Sequence, residues 1–510
     1  MNTPRTADSG SLPDLATLQR QCGWPLADGD ALRQGRLGEP DARLVPFVDA
    51  LTRRCVVLRP PEGGLLVVMA DPRDDGTRLW LRRRLGAQPA GTVRWRLADA
   101  DALLHLLQQR ERGTDGGALG SAAAGAAGLD APLDLSHGGL QAADDPVVRL
   151  LNATLYDALE ARASDLHLES DAEGLAIRFR LDGVLTPVGR IAGTAAAQQA
   201  ISRIKVLAAL DIAEQRLPQD GRLKVRVGGR PVDLRVSIMP SIHGEDAVLR
   251  VLDRQQLTGP QGTLTVEHLG LDPRDAEVAR RLAGLPYGLF LVTGPTGSGK
   301  TTTLYALLNG LRHGQDKTVT IEDPVEYELP GVLQIPVNEA KGLTFARGLR
   351  SVLRHDPDRI MVGEIRDTET AQIALQAALT GHQVHATVHA NSAVDVIGRL
   401  STMGIDPYNL ATALNGVLAQ RLVRLLCNAC GGEGCSHCRG TGYRGRRAVV
   451  ETLVIDDALR ALIASRATPG ALRDAMQQQG ARSLRAAAES LVDAGLTSRQ
   501  EIDRVTLAAR

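Results

Sequence analysis

Residues 294–301 carry the residue types and the spacing of a loop that binds phosphate groups. Their sequence, GPTGSGKT, fits the pattern G-x-x-x-x-G-K-[ST] at every fixed position. Glycines let the backbone turn so that successive N–H groups face phosphate oxygens. In such loops the lysine, here Lys300, contacts the β- and γ-phosphates, and the hydroxyl, here Thr301, binds Mg²⁺. A glycine-rich turn without a ligand is the alternative, but an apolar run before the segment and a helical pattern after it favour a nucleotide site.

Carboxylates that could place Mg²⁺ and orient water follow two apolar runs later in the chain. Glu322 follows residues 318–321, and Glu364 comes shortly after residues 360–362. In an open parallel sheet both would emerge at the carboxyl edge, beside the phosphate loop. We therefore predict that Glu322 is the base that activates water and that Glu364 is the acid on the Mg²⁺ side. The alternative is that both acids are solvated charges of surface loops.

Three histidines, His382, His385 and His389, lie within ten residues of sequence, TGHQVHATVH. His385 and His389 flank a short apolar run, and the period of a strand places both on the same face with Thr387. A histidine cluster on a sheet that already holds a phosphate site could sense the γ-phosphate. A structural role is the alternative, and spacing alone does not decide between them.

Four of the six cysteines, Cys427, Cys430, Cys435 and Cys438, form the pattern C-x2-C-x4-C-x2-C. Two such pairs supply four thiolates for a closed tetrahedral Zn²⁺ site without an open catalytic position. A redox dithiol and an iron–sulfur cluster are the alternatives, and His437 could replace one sulfur. Redox C-x-x-C motifs usually occur singly, so two pairs favour zinc.

The elements that must position these residues are predicted from apolar periodicity. Runs at 289–293, 318–321, 360–362 and 384–388 alternate with helical patterns, which indicates a parallel, doubly wound α/β sheet. Before this region, alternating segments near 166–169 and 175–180, a helix near 197–210 and strands at 223–227, 232–238 and 247–252 indicate a smaller α+β module.

Composition changes along the chain predict the domain boundaries. Residues 1–110 form a small α+β domain without candidate catalytic residues, and the Gly/Ala-rich residues 111–145 form a flexible linker. The middle α+β domain covers residues 146–256, a second linker covers 257–271, and the nucleotide-binding domain covers 272–510, including the cysteines at 427–438 and helices near the C-terminus.

Overall composition excludes several classes of function. Lys plus Arg and Asp plus Glu both total 59, so no global positive field is available to hold nucleic acid or anionic lipid. Aromatic residues make up 3% of the chain, which argues against base stacking. No apolar run reaches the roughly 18 residues that span a bilayer, and the first ten residues do not resemble a secretory signal. Few cysteines indicate a reducing compartment, so we expect a cytoplasmic protein.

In its motifs the chain resembles the secretion ATPases of the type II secretion and type IV pilus superfamily. The phosphate loop, TIEDPVEY, LRHDPDRIMVGEIRD, TGHQVHATVHAN and the four cysteines occur in that family's order. The cysteines and an N-terminal module resemble the assembly-type motors, and GVLAQRLVR is similar to the type II secretion motor. The sequence departs from the family pattern at Gln383 and His385, where an apolar pair is usual, and in the short spacer between the cysteine pairs.

The resemblance implies a RecA-like ATPase core, a PAS-like middle domain and a set of site residues. Arg235 and Arg250 of the middle domain would reach the nucleotide as catalytic residues together with Glu322 and Glu364. The remaining residues that the resemblance assigns to the nucleotide are Gly294, Pro295, Thr296, Gly297, Ser298, Gly299, Lys300, Thr301, Thr302, Asp323, Glu326, Arg350, Arg354, His382 and His389.

The resemblance also implies a function. It predicts a homohexameric ATPase that uses ATP, Mg²⁺ and Zn²⁺, binds inner-membrane components of the secretion machinery and powers pseudopilus assembly from the cytoplasmic face. Membrane association would be peripheral, through protein partners that dock on residues 1–110, and no nucleic acid is expected. The alternatives are a motor for type IV pilus extension, a nucleic-acid motor of the same fold and a zinc-containing interaction protein with a decayed nucleotide site. The intact set of Lys300, Thr301, Glu322 and Glu364 argues against decay.

Overall fold

The computed structural model describes residues 15–41, 44–45, 49–50, 53–85, 92–100, 102–103, 106, 133–135, 145–227, 229–253, 264–311 and 316–506. They belong to two compact units. The first contains the chain up to Leu252 and Glu433–Gly442, and the second contains Asp253–Gly432 and Tyr443–Arg510. Within the described ranges, no helix is long and apolar enough to cross a membrane.

The first sheet of the first unit has four strands in the order β1-β2-β3-β4. Its central strands β2 and β3 are valine- and leucine-rich and buried along most of their length. The elements are α1 (Leu15–Cys22), α2 (Gly29–Arg33), β1 (Glu39–Pro40), β2 (Cys55–Arg59), β3 (Leu65–Met69), α3 (Asp75–Leu85) and β4 (Val93–Leu97).

The second sheet has seven strands in the order β5-β9-β10-β11-β6-β7-β8, and all its pairs except β5 with β9 are antiparallel. Buried residues alternate along β10, as expected for a sheet with one face against helices. The elements are β5 (Leu133–Asp134), α4 (Pro146–Glu160), β6 (Asp165–Asp171), β7 (Gly174–Leu181), β8 (Val184–Ala192), α5 (Thr194–Leu207), β9 (Gln219–Val227), β10 (Arg230–Ser241) and β11 (Gly244–Leu252).

The predicted linker at 111–145 lies outside the described residues apart from 133–135 and 145. Leu133 and Asp134 are paired with Val225 and Arg226, and Leu135 is fully buried. Part of the predicted linker is therefore ordered, because the apolar Leu133 and Leu135 interrupt the Gly/Ala-rich composition. Of the second predicted linker, residues 257–263 also lie outside the described ranges.

The second unit is built on a seven-stranded sheet in the order β14-β13-β15-β16-β12-β17-β18. All neighbours are parallel except β17 and β18, which confirms the predicted parallel α/β core. The strands are β12 (Gly288–Thr293), β13 (Thr318–Glu322), β14 (Leu333–Pro336), β15 (Arg359–Val362), β16 (Gln383–Val388), β17 (Leu414–Leu426) and β18 (Tyr443–Val454).

Ten α-helices of the second unit are described, and the last four follow β18 toward the C-terminus. The residues between β17 and β18 contain the four cysteines, at the tip of a long antiparallel hairpin that the sequence did not predict. The helices are α6 (Pro273–Ala283), α7 (Lys300–Gly310), α8 (Phe345–Val352), α9 (Thr368–Leu379), α10 (Ala393–Thr402), α11 (Pro407–Ala413), α12 (Asp457–Ala464), α13 (Pro469–Gln478), α14 (Leu484–Asp493) and α15 (Arg499–Val505).

Candidate active site

The phosphate loop connects the interior strand β12 to helix α7, which is the context that its pattern predicts. Gly294 and Gly299 have φ angles of 151° and 85°, conformations that L side chains rarely adopt. A Cβ on Gly294 would lie 2.5 Å from the carbonyl oxygen of Gln420, and one on Gly299 would lie 3.0 Å from Gln420 Nε2. These two glycines are required both by backbone conformation and by the close approach of β17.

Lys300 is the first residue of α7, and its ammonium group lies over the loop. Its Nζ is 3.0 Å from the carbonyl oxygen of Gly294 and 3.1 Å from that of Pro295. Burial lowers the pKa of Lys300, and the charge of Glu364 acts in the opposite direction. The Ser298 hydroxyl is buried and has no hydrogen-bond partner among the described residues. The loop therefore offers a cation and a buried hydroxyl where phosphates would bind.

Glu364 and His389 lie at the carboxyl edge beside this loop. His389 Nε2 is 2.9 Å from Glu364 Oε1, and His389 Nδ1 is 3.2 Å from the carbonyl oxygen of Gly294. Arg366 Nε is 2.7 Å from Glu364 Oε2, and a terminal nitrogen of Arg366 is 3.1 Å from Asp323 Oδ2. The order β13-β15-β16-β12 explains this convergence, because the carboxyl ends of neighbouring parallel strands meet at one edge.

Glu322 ends β13 at the same edge, but its carboxylate is buried and both of its oxygens accept hydrogen bonds. It accepts hydrogen bonds from the hydroxyls of Tyr305 and Thr320 and, at 3.2 Å, from the amide of Gln334. Glu322 is 1% exposed, and burial together with its negative charge raises the pKa of Tyr305. Thr320 and Glu322 share a face because side chains alternate along a strand. To reach a water molecule, Glu322 would have to give up one of these partners.

The structure separates the three histidines. His382 precedes β16, and its carbonyl accepts a hydrogen bond from Gly288, the first residue of β12, so it lies at the opposite end of these strands from the loop. His385 is fully buried, with its ring edge-on to Phe290 at 6.2 Å between centroids. Burial lowers the pKa of His385 to about 3. Only His389 meets the loop, and the role of His382 remains a prediction drawn from the resemblance.

The two arginines of the core that are predicted to bind the nucleotide contact residues outside the phosphate loop. Arg350 on α8 forms an ion pair with Glu369, and an Arg354 guanidinium nitrogen donates to the carbonyl oxygen of Arg350 at 3.1 Å. Glu326 is partly exposed just beyond β13. The assignment of these three residues to the nucleotide remains a prediction.

Arg235 and Arg250 belong to the first unit, where they pair directly across β10 and β11. Arg250 Nε is 2.9 Å from Asp165 Oδ1 on the neighbouring strand β6. The largely buried carboxylate of Asp165 thus lies within an ion-pair distance of both Arg250 and Arg180. The sheet presents a row of guanidinium groups, and their action on a nucleotide remains a prediction.

The four cysteine sulfurs lie within 4.8 Å of one another, and none of these residues is in a disulfide. Four sulfurs at about 2.3 Å from a tetrahedral zinc ion are about 3.8 Å apart, and the Cys435 and Cys438 sulfurs are 3.8 Å apart. The backbone N–H groups of Cys435 and Gly442 donate to Cys438 Sγ at 3.1 and 3.3 Å, which favours a thiolate. The donor set fits Zn²⁺.

Sequence reasoning missed four residues that contact the site. Arg366 bonds Glu364, Tyr305 and Gln334 bond Glu322, and Gln420 bonds the loop. Arg366 stands two residues after Glu364, so proximity in sequence could have identified it. The other three come from elements that only the folded sheet brings together.

Comparison with known proteins gives the family. A family model described as Type II/IV secretion system protein matches residues 140–504. The chain belongs to this family. It is 44% identical over 482 residues to the Type II secretion system protein HxcR of Pseudomonas aeruginosa, covering 91% of this chain and 99% of that protein. It is also 45% identical to the Type II secretion system ATPase E of Vibrio cholerae, covering 72% of this chain and 77% of that protein.

Among solved structures, the ATPase DotB of Legionella pneumophila matches with a TM-score of 0.54 and 23% identity, covering 70% of this chain and 94% of that one. This likeness shows the α/β, RecA-like fold of secretion ATPases. Among the predicted site residues, the loop, Glu364, His389 and, through Arg366, Asp323 lie together at the carboxyl edge of the sheet.

Proposed function

We propose that this protein hydrolyses ATP at the loop of residues 294–301 and uses the energy to drive protein export through a type II secretion system. The observation that carries the proposal is the hydrogen-bonded connection from Glu364 through His389 to Gly294, beside Lys300. This connection joins the Glu364 carboxylate to the His389 ring, and the ring to the phosphate loop. The ring could therefore respond to the presence or absence of the γ-phosphate. A relative that matches over 91% of this chain is named for the same system.

Each residue of this group has a chemical task. Lys300 would leave the carbonyl oxygens of the loop to neutralise the β- and γ-phosphates as their charge grows in the transition state. The Thr301 hydroxyl and Glu364 are the hard oxygen donors that would hold Mg²⁺, which as a Lewis acid polarises the phosphoryl oxygens when bound. Glu322 is proposed as the base, released from Tyr305 or Thr320 when the site closes.

The finer assignments rest on the family. We infer a cytoplasmic homohexamer that binds inner-membrane components of the secretion machinery, stays peripheral to the membrane and powers pseudopilus assembly. Arg235 and Arg250 would complete the site by reaching the γ-phosphate from the middle domain, where fixed guanidinium groups stabilise transferred charge. A zinc ion at the four cysteines would stabilise the tip of the β17–β18 hairpin.

The test is complementation of a strain that lacks this gene. The secreted proteins are compared by mass spectrometry after complementation with the wild-type gene, with Glu364→Gln, and with Asn415→Ala, a control on β17 outside the site. We expect wild type and control to restore export and Glu364→Gln to restore none. Unchanged export together with loss of surface pili in the deletion strain would replace the proposal with the pilus-extension alternative.

A further inference from the structure

Gln420, on β17, bonds to the phosphate loop and its helix at both ends of its side-chain amide. Its Nε2 donates a hydrogen bond to the Ser298 carbonyl oxygen, and its Oε1 accepts one from the Thr303 hydroxyl, each at 2.7 Å. The residue is 1% exposed, so water does not compete for either bond. One side chain therefore joins the end of the loop to the first turn of α7.

The bond to Ser298 fixes the direction of the peptide group between Ser298 and Gly299. In a trans peptide the carbonyl and the N–H point in opposite directions. A Ser298 carbonyl held toward β17 therefore turns the Gly299 N–H away from β17. The same residue limits the loop at its other end, where a Cβ on Gly294 would lie 2.5 Å from the Gln420 carbonyl oxygen.

We infer that Gln420 is a positioning residue, which holds the loop in its phosphate-binding conformation before a nucleotide arrives. The inference rests on the proposed ATPase function. Without these two bonds the nucleotide itself would have to order the loop, and its affinity would fall by the cost of that ordering. Because the bonds serve the ground state and the transition state alike, their loss raises Kd and KM and leaves kcat nearly unchanged.

The test compares Gln420→Met with Asn415→Ala. Gln420→Met keeps the length of the side chain and removes both hydrogen bonds. Asn415 is on the same strand, but its amide donates to the Tyr287 carbonyl at 2.7 Å, away from the loop. Binding of fluorescent ADP and steady-state ATPase rates are measured. We expect Gln420→Met to raise Kd and KM about tenfold, with kcat within about threefold, and Asn415→Ala to leave all three near wild type.

A Kd of Gln420→Met within about twofold of wild type overturns the inference. If that variant does not fold, Thr303→Val removes only the hydroxyl at the other end of the contact, and we expect it to raise Kd about fivefold. An unchanged Kd there overturns the inference equally. Wild-type protein that neither binds ADP nor hydrolyses ATP refutes the proposed function too, whereas active wild type with a normal Gln420→Met refutes only the role of Gln420.

Discussion

Replacement of His385 by leucine should make the ATPase core less sensitive to acid. His385 is fully buried on the central strand β16, and neither ring nitrogen has a hydrogen-bond partner among the described residues. Burial, aided by Arg359, lowers the pKa of His385 to about 3. The neutral ring therefore stays unprotonated in the native state at pH values where the unfolded chain takes up a proton.

The size of the effect follows from linkage. In the unfolded chain a histidine has a pKa of about 6.5. Above that pH the histidine is neutral in both the native and the unfolded state, and the free energy of unfolding keeps its full value. It decreases as the pH falls from there toward about 3, because only the unfolded chain takes up the proton. Between pH 7.5 and pH 5.0 the free energy of unfolding should drop by about 2 kcal/mol more in wild type than in His385→Leu. The result requires only that the native pKa lie well below 5.

Hydrogen exchange of peptides that cover Gln383–Val388 is the suitable assay, because the tryptophans all lie in the first unit and their fluorescence does not report on this sheet. Opening free energies are measured at both pH values for wild type, His385→Leu and His382→Leu, a partly exposed histidine beside the same strand. We expect His382→Leu to follow wild type. The same pH dependence in all three proteins would refute the burial of a neutral His385.

Three further predictions concern metal, assembly and the base. Purified reduced protein should contain about one zinc per chain, and Cys435→Ser should lose it while the phosphate loop still binds ADP; iron, or no metal, would reject the zinc site. ATPase activity per chain should rise with protein concentration, and Arg250→Ala should lower kcat more than nucleotide affinity; constant activity on dilution with a monomer in sedimentation would exclude the ring. Glu322→Gln should lower kcat while Kd for ADP stays within about threefold; a parallel loss of binding would assign it a binding role.

The sequence could predict which residues meet at the carboxyl edge of the sheet, because this depends only on the order of the segments along the chain. A phosphate loop, then apolar runs followed by acids, can meet only at one edge of a parallel sheet. Glu364 and His389 follow β15 and β16, and the structure places both by the loop. The same rule gives the position of Glu322 along its strand. It does not give the two partners of its side chain that come from other elements, Tyr305 on α7 and Gln334 on β14.

Contacts between distant elements could not be predicted. Gln420 and Ser298 are 122 positions apart, and nothing in the spacing of either segment indicates the bond between them. The strand β17 was missed because it is buried along its first half and partly exposed beyond Gln420, so it shows no single period. The three histidines do not form one cluster in the structure, because His382 and His389 lie at opposite ends of a six-residue strand.

Release of phosphate from MgATP by purified wild-type, Lys300→Ala and Glu364→Gln proteins tests the central claim most directly. The proteins are compared at a concentration where wild type assembles, with ADP binding and sedimentation as controls for folding. We predict steady turnover by wild type, none by Lys300→Ala, and none by Glu364→Gln although it still binds nucleotide, because the lysine and the acid act on the charge that develops at the γ-phosphate. Wild-type turnover in either variant would contradict the assignment of this site.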